Sequence, residues 1–165
     1  MDNKLYLTFE KICSDIKILG NSILYSNKNY AAILTISGGG LIPARLLRTQ
    51  LNIPIYSVGV SFYIGEKKKH PIIFQWLREE EINFLKNRRV LIVDELSDTM
   101  GTINLLVNQL VDKGFNPENL GVAVLYDKNK KKIWTPVMDN FELGENYFSA
   151  EKIDDKWVVF PWDNF

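Results

Sequence analysis

A chain of 165 residues suits one domain with one core and leaves little room for a second. Its 46% hydrophobic and 24% charged residues are ordinary for a globular protein, and twenty basic residues balance twenty acidic ones, so no global field attracts nucleic acid or an anionic membrane. One cysteine, Cys13, excludes a disulfide framework and a cysteine-based zinc cluster, and one histidine, His70, argues against a histidine-centred triad.

The N-terminus lacks the basic, then apolar, then small-residue progression of a signal peptide, and no apolar run approaches the ~20 residues that span a bilayer. A cytoplasmic setting is expected. Phe9, Ile12, Cys13, Ile16 and Leu19 recur at helical spacing, which predicts an amphipathic helix over about 8–25 with Cys13 in the core. Residues 31–36 form a short apolar run that ends in Ser37, Gly38, Gly39 and Gly40, a buried strand followed by a tight loop. Residues 42–51 read as a helix, with Pro43 tolerated in the first turn and Pro54 beyond the end. Residues 55–63 are β-rich and broken by Gly59, whereas the charged stretch 65–71 reads as a mobile loop around His70. A strand at 72–77 and a short helix at 79–86 follow. Val90, Leu91, Ile92 and Val93 then run straight into two acids, Asp94 and Glu95. A helix over 102–113 closes at Gly114, and 120–126 is another apolar strand. Strands alternating with helices predict an α/β fold, a doubly wound parallel sheet with helices on both faces and ligands at the strand C-termini.

Both distinctive loops leave such ends. Consecutive glycines at 38–40 let backbone N–H groups approach oxyanions, although a flexible strand-to-helix turn would look the same. Residues 97–102 place a nest of backbone N–H groups at a helix N-terminus. Without a ligand, Asp98 or Thr99 would simply be an N-cap. Adjacent like charges such as Asp94 and Glu95 nevertheless repel and seldom sit together without a cation or ligand. Acids beside an anion cradle suit a ligand that brings hydroxyls or a cation as well as phosphate. Near the C-terminus Trp157, Phe160 and Trp162 cluster, as core packing or as a stacking surface for a planar base. The lysines at 67–69 and at 128 and 130–132 read, by themselves, as solvated loops.

An apolar strand, two acids, two variable residues, then Asp98-Thr99 and a small-residue pair ending in Thr102 resembles the phosphoribosyl pyrophosphate (PRPP) loop of the type I phosphoribosyltransferases. The glycine loop followed by Pro43, Ala44 and Arg45, and Gln75-Trp76 before the central strand, look like the fungal and archaeal-type 6-oxopurine branch. The tail Trp157-Val158-Val159-Phe160-Pro161-Trp162-Asp163 resembles that branch's purine-binding hood.

The resemblance implies a single domain over 1–165, with a small base-binding hood mainly from about 145–165. It implies transfer of ribose 5-phosphate from PRPP to N9 of hypoxanthine, guanine or xanthine, with adenine excluded, by a homodimer or homotetramer that takes no nucleic acid or membrane partner. Ser37, Gly38 and Gly39 would hold pyrophosphate, and Asp94 and Glu95 the ribose hydroxyls. Leu96, Ser97, Asp98, Thr99, Met100, Gly101 and Thr102 would line the 5′-phosphate. Asp98 would be the catalytic acid–base group at N7, Lys128 would donate to the exocyclic oxygen, Trp157 would stack on the purine, and the Val158 carbonyl would read the ring edge. Mg2+ would be served by Asp94, Glu95 and Asp163. Gly38 stands where purine enzymes carry Lys or Arg, so a cation from elsewhere, such as Lys67, Lys68 or Lys69, is expected at pyrophosphate. Met100 stands where Gly or Arg is commoner, and only its backbone need face phosphate. The family's glycine loop often begins with a cis peptide. The alternative is a non-catalytic PRPP- or nucleotide-sensing protein of the same fold, which would have no need to retain Asp98, Lys128 and Trp157 together.

Overall fold

Apolar side chains with no polar alternation, as in Ala32–Ile36, make a strand that needs cover on both faces, and every one of these five residues is buried. The structure, a computed structural model, describes residues 3–64, 67–142 and 144–163, and of residues 61–71, 140 and 142 the backbone alone. In chain order the elements are β1 (Lys4–Tyr6), α1 (Phe9–Tyr25), β2 (Ala32–Ile36), α2 (Leu41–Leu51), β3 (Ile55–Ile64), β4 (Lys67–Gln75), α3 (Glu79–Leu85), β5 (Val90–Ser97), α4 (Gly101–Asp112), β6 (Leu120–Lys128), α5 (Asp139–Glu142), β7 (Tyr147–Ile153) and β8 (Trp157–Val159).

Six strands form the main sheet in the order β4-β3-β2-β5-β6-β7, all parallel except β4, which runs antiparallel to β3. Alternate residues of β5 split between two apolar layers. Val90 and Ile92 pack with Ile82, Leu85, Ile103 and Leu106 of α3 and α4. Leu91 and Val93 pack with Ile12, Ile16 and Leu19 of α1 and with Ala44 and Leu47 of α2. This is the expected doubly wound α/β architecture. The chain winds outward from β2 through β3 on one side and from β5 through β6 and β7 on the other, so the switch point lies between β2 and β5. A crevice at the C-terminal ends of those two strands is where such a sheet takes its ligand.

Helix α1 shows how the amphipathic pattern resolves. Thr8 caps it, its hydroxyl accepting from Lys11 N at 3.2 Å. Ile12, Ile16, Leu19 and Ile23 form the buried stripe, each contributing about 1.5–3 kcal/mol on burial. Cys13, expected in the core, is exposed, because one residue along a helix turns the side chain ~100° off that stripe. Asp15 is buried instead, and it accepts from the Tyr126 hydroxyl at 2.5 Å and from Lys11 at 2.8 Å.

Three further segments differ from the sequence expectation. The charged stretch read as a loop over 65–71 is largely strand, since β4 begins at Lys67 and pairs Lys67 with Ile64 and Lys68 with Tyr63. An edge strand tolerates lysines and Pro71 because one of its sides has no ladder to complete. Residues 4–6, given no role in advance, form β1 and pair in parallel with β8, Leu5 opposite Val158. Of the segment 145–165, residues 147–153 belong to the main sheet as β7, while β8 and a single 3-10 turn, Pro161–Asp163, join β1 in a separate two-stranded layer. No helix among the described residues is long and apolar enough to cross a membrane.

Candidate functional site

The loops after β2 and β5 meet at the switch point. The first turns tightly through Gly38, whose φ of +101° suits a residue without a Cβ, and Ser37 N donates to Val58 O at 2.7 Å. It leads into α2, whose N-cap Gly40 makes no side-chain capping bond. The second loop leads into α4 through Met100, at φ +70° and again without a side-chain cap. Asp98 and Thr99, the candidate capping residues, therefore leave the amides at the start of α4 uncapped by side chains. Two helix N-termini without side-chain caps follow neighbouring strands, an arrangement that suits phosphate oxygens. Met100's own side chain is 3% exposed and belongs to the α3–α4 layer, so only its backbone can reach a ligand, and Leu96 is partly buried against the α1–α2 layer. No described peptide bond is cis, including those of the glycine loop.

Glu95 lies against Gly39, so closely that a methyl group on that residue would overlap its carboxyl group. Its Oε2 accepts from the Trp162 indole Nε1 at 3.2 Å. Trp162 is in turn stacked on Phe160, with ring centroids 4.8 Å apart, and tilted against Phe9 at 6.2 Å. The carboxyl-terminal aromatics thus divide: Phe160 and Trp162 hold an acid in place, while Trp157 stands 70% exposed at the edge of β8. Asp94 accepts from Glu95 N at 2.9 Å through Oδ1. Burial pushes the Asp94 carboxyl up to about 7, that hydrogen bond opposing. Burial also raises Glu95 to about 7, aided by the charges of Asp94 and Asp163 and opposed by Trp162. Asp163 Oδ2 accepts from Phe160 N at 3.0 Å, which fixes it near Glu95.

Asp98, in the loop after β5, and Lys128, at the end of β6, meet at 3.6 Å. Lys130 approaches Asp98 at 2.8 Å, and Asp155 pairs with Lys128 at 3.4 Å and with Lys130 at 3.0 Å. These four side chains bridge the 97–102 loop, the lysine segment and the turn before β8. Val158 is the middle residue of β8, the strand that pairs with β1. Trp157 N donates to Asn3 O and Val159 O accepts from Leu7 N, so alternation turns the Val158 N–H and C=O away from β1.

Sequence alone places Lys130 in no more than a solvated loop, leaves Asp155 unremarked, and puts Trp162 in the aromatic cluster without linking it to Glu95. The spacing of Lys128, Lys130 and Lys132 by two was the available signal, since in extended chain it sends all three to one side. The side chains of Lys67, Lys68 and Lys69, considered for pyrophosphate, lie outside the described residues. Among the described residues no three His, Cys, Asp or Glu side chains group closely enough to hold an ion alone. A hard cation that keeps waters and substrate phosphate oxygens needs only one or two carboxylates, and Asp94 and Glu95 suit that arrangement. A separate cleft of about 240 Å³, lined by Ile23, Lys28, Tyr30 and Ile53 among others, sits at the opposite, N-terminal edge of the strands.

The family described as "Phosphoribosyl transferase domain" matches residues 9–140. Xanthine phosphoribosyltransferase 1 of Saccharomyces cerevisiae is 28% identical, the alignment covering 98% of this chain and 90% of the yeast protein. The hypoxanthine-guanine phosphoribosyltransferase of the same yeast is 29% identical, with 99% and 87% covered. A hypothetical protein from Neisseria gonorrhoeae, solved with bound ppGpp, superposes with a TM-score of 0.83 at 34% identity, covering 100% of this chain and 92% of the other.

Proposed function

Since the chain belongs to the phosphoribosyl transferase domain family, we propose that its residues carry out the purine salvage reaction of that family at the crevice between β2 and β5. It is a phosphoribosyltransferase of the 6-oxopurine kind, which transfers ribose 5-phosphate from PRPP to a purine base and releases pyrophosphate. The observation that carries the residue assignment is the convergence of two helix N-termini without side-chain caps around a Glu95 carboxyl seated on Gly39.

The amides of the 97–102 loop hold the 5′-phosphate, with the Thr99 and Thr102 hydroxyls as further donors, and those of Gly38 and Gly39, with the Ser37 hydroxyl, hold pyrophosphate, since the Ser37 amide is taken by Val58 O. As pyrophosphate departs, positive charge grows on the ribose, and acids are the groups that stabilise it. Asp94 and Glu95 accept from the ribose hydroxyls, Glu95 steadied by Trp162. Asp94 and Glu95, with Asp163 nearby, would hold magnesium, which would supply charge neutralisation at the leaving group. Asp98 takes or returns the proton at N7 of the base, and Lys128, released from Asp155, donates to the exocyclic oxygen. Trp157 stacks on the ring and the outward C=O of Val158 reads its edge. One exposed cysteine, Cys13, suits a cytoplasmic setting.

A spectrophotometric screen of hypoxanthine, guanine, xanthine and adenine with PRPP and magnesium tests this. The expected result is monophosphate formation from one or more 6-oxopurines and none from adenine. Binding of PRPP without turnover of any base would overturn it in favour of a sensor. ppGpp combines guanine with two pyrophosphate groups, so we expect it to occupy the same cradle, and competition with PRPP in this assay checks that.

A further inference from the structure

Lys132 belongs to the run 128–132, yet its side chain is only 10% exposed. It points back under the loop that follows β5. Its ammonium donates to Ser97 O at 2.9 Å and to Asp98 O at 2.8 Å, and the next residue, Ile133, donates its backbone N–H to Thr99 O at 2.9 Å. Three successive carbonyls of the loop are therefore taken from one side by two consecutive residues. In a trans peptide the C=O and the following N–H point in opposite directions. Fixing the carbonyls of Ser97, Asp98 and Thr99 thus aims the amides of Asp98, Thr99 and Met100 the other way. Met100 in the left-handed region completes the curl that turns successive N–H groups toward one point. Asp127, at the end of β6 and 11% exposed at its side chain, anchors the ammonium at 2.6 Å.

We propose that Lys132 is a positioning residue for PRPP: held by Asp127, it grips the carbonyl side of the 97–99 backbone and so presents the amide side to the 5′-phosphate. This rests on the reading of residues 97–102 as the phosphate cradle. Lys132 itself touches no substrate. A loop whose amides must be aimed by an external cation would lose phosphate affinity when that cation is removed, while base binding, made by other groups, would persist.

The test is Lys132→Met, with Lys132→Arg as the conservative variant and Lys131→Met as an exposed control, each in the full chain. Steady-state kinetics give the KM for PRPP, the KM for the base and kcat, and calorimetry gives the Kd for ribose 5-phosphate. Losing charged hydrogen bonds of this kind predicts about a tenfold or greater rise in PRPP KM and ribose 5-phosphate Kd. Base KM and kcat at saturating PRPP should stay within about twofold, Lys132→Arg should recover most of the loss, and Lys131→Met should match wild type. Should Lys132→Met fail to fold because Asp127 is left unpaired, Asp127→Asn with Lys132→Met removes both charges and is held to the same expectations. Unchanged ribose 5-phosphate affinity in the folded variant, or proportional loss of kcat and of both affinities, overturns the proposal. Failure of the wild-type protein to bind ribose 5-phosphate would instead overturn the cradle reading itself.

Discussion

Gly39→Ala separates a catalytic cost from a folding cost. The three atoms nearest to a methyl group at this position all belong to the carboxyl group of Glu95. That carboxyl is the far end of a flexible side chain, so the overlap is relieved by a rotamer change, and the fold should survive with a loss of ~1 kcal/mol. For a chain of this size, that lowers Tm by only ~2–4 °C. The rotated carboxylate, however, leaves the Trp162 Nε1 at 3.2 Å and its seat beside the glycine loop. A hydrogen bond to a charged group is worth ~1.5–3 kcal/mol, and one lost to the ribose hydroxyls amounts to roughly 10- to 10²-fold. We therefore expect kcat/KM for PRPP to fall about 10²-fold in Gly39→Ala, alongside a thermal transition close to wild type. Steady-state kinetics and a thermal melt on the same preparation check both halves. Wild-type kcat/KM in the folded variant would refute the role given to Glu95, and collapse of the fold would refute the claim that the side chain can yield.

Asp98→Asn should lower kcat by roughly 10²-fold or more with little change in PRPP affinity, because Asp98 serves the base; wild-type turnover removes that assignment. Lys128→Ala should weaken the binding of hypoxanthine, guanine and xanthine, seen as a higher base KM, without weakening ribose 5-phosphate binding. The wild-type protein should reject adenine by about 10⁴-fold, since a donor facing the exocyclic oxygen meets the adenine amino group donor to donor. Efficient adenine turnover by wild type contradicts this. The carboxyls of Asp94 and Glu95, raised to about 7 from 3.8 and 4.5, hold protons in the folded state that the unfolded chain has already released. Their contribution to stability is present below about 4 and lost as pH rises through about 7. Ligand-free Tm should then fall between pH 5 and pH 8, and Asp94→Asn with Glu95→Gln should flatten that slope; an equal slope in both proteins counts against it.

Local rules made much of this chain legible. The helix periods, the buried strands and the two glycine-bearing loops each depend on neighbours in sequence, so α1, α2, β2, β5 and α4 fall within a residue or two of expectation. Misjudged positions are those where distant parts decide. Cys13 and Asp15 lie two residues apart on one helix, and which of them is buried depends on Tyr126 offering a hydroxyl from β6. Residues 67–71 looked too charged for a strand because nothing local reveals that their place is a sheet edge beside β3.

The same division runs through the site. Sequence by itself determined the chemical inventory: two acids at a strand end, a polar loop at a helix start, a glycine turn and an aromatic tail, each written within a dozen contiguous residues. Tertiary structure alone decided the partnerships. Glu95 meets Gly39 and Trp162, Asp98 meets Lys128, Lys130 and Asp155, and Lys132 turns under the 97–99 backbone, across 34 and 35 positions of sequence. The physical reason is that a motif depends on bonds and dihedrals along the chain. The aim of an amide or the hold on a carboxylate depends instead on which groups the folded sheet brings within about 3 Å of it.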